Sequence, residues 1–129
     1  MKLLLDTQLL LWAASGSKRI TPALRRLLMD ARHELLFSAA SMWEVAIKHS
    51  LGREDFRAEP AVLRRGLLDN GYQELPITGQ HAVAVAALPV IHRDPFDRLL
   101  LAQAMIEGIT LVTADEMLGR YDAPVRVVS

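Results

Sequence analysis

Short apolar runs that end on a polar residue and lead straight into a helix recur along this chain, and that alternation restricts the fold more than any other feature. Lys2 to Leu5 meets Asp6-Thr7, Leu35 to Ser38 meets a helical pattern from Ala39, and Ile109 to Thr113 meets Ala114-Asp115. A short, almost wholly apolar run is the mark of a strand buried on both faces, and such strands belong to parallel sheets covered by helices. The expected fold is therefore an α/β three-layer sandwich with a central, mainly parallel sheet of four to five strands. Glu74 to Ile77 and Val125 to Val128 supply the remaining strands, the latter at an edge. A single domain over residues 1–129 is expected, because the length fits a common domain size and 51% hydrophobic residues suffice for a core.

Helices fill the intervals. Thr7 to Ala14 is apolar on nearly every side and stops at Ser15-Gly16-Ser17. Thr21-Pro22 opens a helix through about Arg32, Ala39 to about Leu51 ends at Gly52, Pro60 to Asp69 ends at Asn70-Gly71, and Thr78 caps a small-residue helix from Gln80 to Leu88. The strongest start signal is Asp94-Pro95, since an acidic cap accepts orphaned N–H groups and proline at the first helical position has none to lose. The helix that follows runs to Gly108 and carries Asp97 in its first turn, where the positive end of the dipole favours an anion.

Composition removes several function classes. Fifteen basic and fifteen acidic residues give a net charge of zero, so no global field draws the molecule to nucleic acid or lipid and any such contact is local. The absence of cysteine removes disulfides, thiolate metal sites and cysteine nucleophiles, which fits a cytoplasmic protein. Met1-Lys2-Leu3-Leu4-Leu5 begins like a signal peptide, but Asp6 interrupts it and no run of about twenty apolar residues follows, so neither secretion nor membrane insertion is expected.

The chemistry-bearing set is Asp6, Glu44, Asp97 and Asp115. Two of these end strands and two lie in helices, and ligands in open parallel sheets bind outside the carboxyl ends of the strands. Each also has a structural reading: Asp6 and Asp115 as helix caps, Asp97 as a first-turn acid, Glu44 as a surface pair with Lys48. If the four converge, two charges about 4 Å apart repel by roughly 4 kcal/mol at an effective dielectric near 20, and a divalent cation relieves this. An oxygen-only donor set, with Thr7, Ser38 and Thr113 as hydroxyl helpers, suits Mg²⁺ or Mn²⁺ and not zinc. Such an ion activates water and clamps phosphate oxygens. His33, His49, His81 and His92 lack the close spacing of a ligand pair and read as surface or loop residues, with His92 alone near the acids. Trp12 and Trp43 stand at helical core spacing and read as packing.

With these residues in view, the chain resembles a PIN-domain ribonuclease of the kind that serves as the toxin in VapBC-type toxin–antitoxin pairs. The matching pieces are Leu4-Leu5-Asp6-Thr7, Ser38-Ala39-Ala40-Ser41-Met42-Trp43-Glu44-Val45, His92-Arg93-Asp94-Pro95-Phe96-Asp97-Arg98-Leu99-Leu100 and Leu111-Val112-Thr113-Ala114-Asp115, and they span essentially the whole chain. The resemblance implies a PIN-like sandwich, metal-binding catalytic acids at Asp6, Glu44 and Asp97 with Asp115 as a more variable fourth, and Thr113 as a hydroxyl neighbour. It implies cleavage of single-stranded or looped RNA with Mg²⁺ or Mn²⁺, a cognate VapB-type antitoxin, and a homodimer. Asp94 and Asp97 compete for one place in the third motif; Asp97 is chosen because helix capping already accounts for Asp94.

Three other folds or functions share parts of this pattern. A response-regulator phosphoacceptor module needs paired acids after the first strand, where Asp6-Thr7-Gln8 stands, and a dehalogenase-like phosphatase needs an aspartate at Gln8. A catalytically inactive PIN-fold protein that only binds a partner keeps the fold without needing the acids. The helix from Thr7 to Ala14 is too apolar for one sheet to cover, so a partner groove is expected at Leu10 and Leu11, unless Leu24, Leu27 and Leu28 cover that face. By resemblance its occupant is the antitoxin's C-terminal segment, lying close to the acids.

Overall fold

The structure, a computed structural model, describes residues 1–128. Its five strands are β1 (Lys2–Leu5), β2 (Glu34–Ser38), β3 (Gln73–Leu75), β4 (Thr110–Thr113) and β5 (Val125–Val127). They pair in the order β3-β2-β1-β4-β5, every pairing parallel. The helices are α1 (Thr7–Ser15), α2 (Pro22–Met29), α3 (Ala39–Ser50), α4 (Pro60–Asp69), α5 (Gly79–Ala84) and α6 (Pro95–Glu107). This is the expected sandwich, with a sheet that is parallel throughout its described strands.

Strand alternation divides the core into two layers. Leu3 and Leu5 of β1 face a cluster that holds Leu9, Leu10, Leu24, Val45 and Leu63, whereas Leu4 faces one that holds Ala40, Leu100, Leu101 and Leu111. Burial on both faces explains why β1 carries no polar residue between Lys2 and Asp6. Because β2 lies on one side of β1 and β4 on the other, the strand order reverses at β1. In such sheets the crevice for a ligand opens there, beyond the carboxyl ends of the strands.

The boundaries depart from expectation where side chains intervene. α2 ends at Met29 and not Arg32, because Asp30 leaves the helical region (ψ 113°) and its carboxylate takes both the backbone N–H and the guanidinium of Arg32. β3 stops at Leu75, since Pro76 has no N–H to extend the ladder. The expected helix from Gln80 to Leu88 is α5 followed by a tight 3₁₀ turn at Val85–Ala87. Leu10 is fully buried in the core and Leu11 nearly so, which removes Leu10 from any partner groove. Leu24 and Leu27 of α2, with Leu63 and Leu67 of α4, belong to the cluster that covers them.

One cation organises the approach to α6. The Arg98 guanidinium donates to the carbonyls of Val85, Leu88, Pro89 and His92 and to the Tyr121 hydroxyl, tying the 3₁₀ turn and the following loop to the helix. Tyr121 Oη in turn accepts from the N–H groups of Ile91 and His92. A planar fork can serve several carbonyls at once, which a lysine ammonium at the same place cannot match. Arg98→Met should therefore cost about 2–4 kcal/mol, read as a loss of denaturant midpoint at unchanged m value, and Arg98→Lys should recover only part of it.

Candidate active site

Each expected acid is placed by the local rule that makes its element. Asp6 leaves β1 extended and caps α1: its Oδ1 accepts from Leu9 N at 2.9 Å, and its own N–H donates to Val112 O at 3.0 Å. Thr113 Oγ1, from the end of β4, donates to the other Asp6 oxygen. The same hydroxyl accepts from Asp115 N at 3.0 Å, so one threonine links the first acid to the fourth. Thr7, the other expected helper, is buried and gives its hydroxyl proton to Ser41 Oγ at 2.9 Å, joining α1 to α3. Ser38 caps α3 and does not line the site.

Glu44 is 5% exposed. The Lys48 pairing expected of a surface residue does form, with Lys48 Nζ on Glu44 Oε2, but it forms inside the cleft and leaves Glu44 Oε1 buried with no hydrogen-bond partner. Asp94 is the cap of α6, its Oδ1 accepting from Phe96 N at 2.8 Å and Asp97 N at 3.2 Å. That leaves the Asp97 carboxylate free to face the acids of the other elements. Together Asp6, Glu44, Asp97 and Asp115 line one cleft of about 310 Å³, with Thr7, Asp94, Lys48 and Arg53 also on its walls.

The electrostatics of this cleft are those of anions short of countercharge. Burial pushes the Asp6 carboxyl up from 3.8 to about 6 against the hydrogen bonds from Thr113 and Leu9, and Glu44 and Asp115 add repulsion. Asp97 is pushed up to about 7, first by burial and then by the charges of Asp94, Asp6 and Glu44, with His92 opposing. An unpartnered buried carboxylate oxygen beside two such groups is a donor set that fits a hard divalent cation, and Asp6, Glu44, Asp97 and Asp115 could hold it.

His92 was the one histidine the sequence placed near the acids, but it was read as a surface or loop residue because its spacing to the other histidines carries no signal. Its Nδ1 accepts from Asp94 N at 3.0 Å, so the proton lies on Nε2, which faces Asp115 Oδ2 at 2.8 Å and Asp97 Oδ2 at 3.3 Å. These three ligand atoms lie within 4.8 Å of one another, and the imidazole ties the half-exposed Asp115 to the wall of the cleft. A histidine two residues before an Asp-Pro helix start was the available clue. His81 is also no surface residue: it is buried, closes the capping box of α5 and contacts Glu107. Trp43 is the converse case, 57% exposed and packed edge-on to Phe96 with ring centroids 5.2 Å apart.

The raised acids set a pH dependence for the protein stripped of metal. Between about pH 4 and 7 the folded chain retains protons that the unfolded chain has released, so stability falls as pH rises through that window. In EDTA the Tm should drop by roughly 5–10 °C from pH 4.5 to 7.5, and Asp97→Asn should flatten the profile. A wild-type Tm that rises across the same range would mean that the acids are satisfied within the fold.

Residues 3–124 match the PIN domain family. Among solved structures, VapBC2 from Rickettsia felis, bound to a DNA fragment from its promoter, is similar with a TM-score of 0.74 at 14% identity over 98% of each chain. VapBC-1 from nontypeable Haemophilus influenzae is similar with a TM-score of 0.62 at 16% identity, again over 98% of each chain. VapC20 from Mycobacterium tuberculosis, described as a sarcin-ricin loop cleaving toxin, has a TM-score of 0.62 at 13% identity over 91% of this chain and 92% of that one. No curated protein matches the sequence. Among the described residues no helix is long and apolar enough to cross a membrane.

Proposed function

We propose a function from one premise: the chain belongs to the PIN domain family. On that premise it is a divalent-metal-dependent endoribonuclease and the toxin of a VapBC-type toxin–antitoxin pair. The observation that carries the reading is the buried, unpartnered Glu44 Oε1 in a cleft where Asp6 and Asp97 are both driven toward protonation by burial and by neighbouring carboxylates. A bound Mg²⁺ or Mn²⁺ supplies activation of water and neutralisation of phosphate oxygens.

The chain's own residues prepare that chemistry. Leu9 N–H and the Thr113 hydroxyl hold Asp6 in one orientation, the cap at Asp94 fixes the first turn that presents Asp97, and His92 Nε2–H steadies Asp115. Lys48 and Arg53 put positive charge on the wall of an otherwise acidic cleft, where a phosphate backbone needs it. With no net charge on the chain, RNA is gripped by this local pair and not by a global field. Support for an antitoxin as partner comes from the VapBC structures that share the fold, and support for RNA as substrate from VapC20, described as a sarcin-ricin loop cleaving toxin. A homodimer belongs to the same reading.

A second cleft, of about 760 Å³ and mostly apolar, fits the antitoxin segment. Leu11 and Ala14 of α1, Leu28 and Met29 at the end of α2, and Val62 and Leu67 of α4 are among its lining residues. On this reading the groove keeps Leu11 of the expected pair and not Leu10. Segment 53–59 runs between the two clefts, with Arg53, Asp55 and Phe56 on the acid side and Arg57, Ala58 and Glu59 on the apolar side. A peptide laid in the apolar cleft has a short path to the acids. The one observation that favours an inactive partner-binding PIN module is the Lys48–Glu44 pair, an internal cation where a metal would sit; it satisfies only one of the two Glu44 oxygens.

Purified protein incubated with structured RNAs should cleave with Mg²⁺ or Mn²⁺ and stop in EDTA. Asp6→Asn and Asp97→Asn should each lose at least about 100-fold in rate, while Asp94→Asn keeps most of it because asparagine caps as well as aspartate. Cleavage that persists in EDTA would remove the metal from the mechanism. Val62→Asp, at an exposed position of the apolar cleft, should leave cleavage intact and weaken antitoxin binding by an order of magnitude or more.

A further inference from the structure

Two helices deliver acids to the same cleft, and a buried polar contact joins those helices at a distance from it. α3 carries Glu44 and α6 carries Asp97. Ser38 meets Gln103 at one end of the pair, and at the other Trp43 meets Phe96 while Glu44 and Asp97 line the same cleft. Ascending α3 means descending α6, so the two helices lie antiparallel over this stretch. Ser38 precedes Glu44 by six residues and Gln103 follows Asp97 by six, which is about 9 Å of helix on each side at about 1.5 Å per residue.

At the far end of this ladder, away from the acids, stands a fully buried polar contact. Ser38 Oγ already accepts from Ala40 N at 2.9 Å as the cap of α3, and its one proton goes to Gln103 Oε1. The Gln103 amide donates in turn to Pro76 O at 3.3 Å, which anchors it to the chain beyond β3. Gln103 Nε2 also faces the buried His81 Nδ1 at 3.4 Å, and Ala40, Leu100, Leu101 and Ala104 of the same two helices belong to one apolar cluster. Apolar packing is non-directional and tolerates a slide of one helix along another, whereas a buried hydroxyl or amide left unpaired costs about 1–3 kcal/mol. A single buried polar pair is a known way to specify register.

We propose that Gln103 and Ser38 form a register pin that sets the position of α3 along α6 and so fixes the separation of Glu44 from Asp97. Gln103 is a positioning residue in this role, since it lies about 9 Å along the helix from the acid it serves and lines neither cleft. A slip of one residue would displace the carboxylates by about 1.5 Å, and a misplacement near 1 Å can cost about 100-fold in rate. The proposal rests on the metal-dependent reading only for its consequence, not for the pin itself.

Gln103→Met keeps the length of the side chain without its hydrogen bonds, and Ser38→Ala removes the other partner should the first variant fold poorly. Two readouts separate register from stability. Trp43 stands on α3 one residue before Glu44 and packs against Phe96 of α6, so its indole ring-current shifts in the metal-free protein report the register near the acids. Mn²⁺ titrated by calorimetry reports the acids themselves. Both variants should shift the Trp43 indole resonances and bind Mn²⁺ roughly ten-fold more weakly, and kcat should fall with little change in KM. Folded variants with a lowered Tm but with wild-type Trp43 shifts and Mn²⁺ affinity would overturn the proposal and leave the pair a structural bond. If wild type binds no Mn²⁺ while Trp43 still moves in the variants, the pin stands and the metal-dependent reading falls.

Discussion

Asp6 is the point on which the structure turns. It ends the central strand, begins the first helix, takes a hydroxyl from the end of β4 and gives its own N–H to the same strand. A carboxylate buried at this depth is expensive to keep ionised, and the fold meets that expense with directed donors and no cation of its own. The sheet order makes the arrangement possible: β1 lies between β2 and β4, so the elements leaving these strands converge on one edge.

Around that point the fold keeps its acids by two different means. Asp94 and Asp115 accept backbone N–H groups and behave as loop and cap residues that happen to line the cleft. Glu44 and Asp97 come from the flanks of helices, and their local bonds do not neutralise them: one Glu44 oxygen has no partner, and Asp97 is raised by burial and then by three neighbouring carboxylates. The same cleft carries Lys48 and Arg53, so it combines a pocket of excess negative charge with nearby positive charge. That combination suits a cation bound by the acids and a polyanion bound across them.

The supports of this site extend well beyond it. Arg98 and Tyr121 hold the loop that delivers His92, and the Ser38–Gln103 contact joins the two acid-bearing helices away from the cleft. Each support lies on an element that also presents a site residue: Arg98 and Gln103 on α6 with Asp97, Ser38 at the start of α3 with Glu44. Rigid helices therefore carry both the chemistry and its alignment, which is how a small domain keeps side chains from distant parts of the chain in fixed relation.

The strands, the helix starts and the acids that stand at strand ends or in first turns were legible in the sequence, because these follow from local rules. Apolar runs bounded by polar residues make buried strands, Asp94-Pro95 can only begin a helix, and Asp94 and Asp97 were told apart because capping is settled within three residues. Helix ends were less legible where a side chain such as Asp30 or Arg98 took backbone groups that a longer helix would have used. What lies across the fold was settled by packing alone. That Trp43 is exposed, that His81 is buried, that His92 bridges two acids and that Leu10 faces the core all depend on which helix packs on which, and a helix as apolar as α1 gives no local sign of the face its neighbours will cover. Charge followed the same division: the sequence could count the carboxylates, but only burial and mutual distance decided that Asp6 and Asp97 hold their protons more tightly than free acids do.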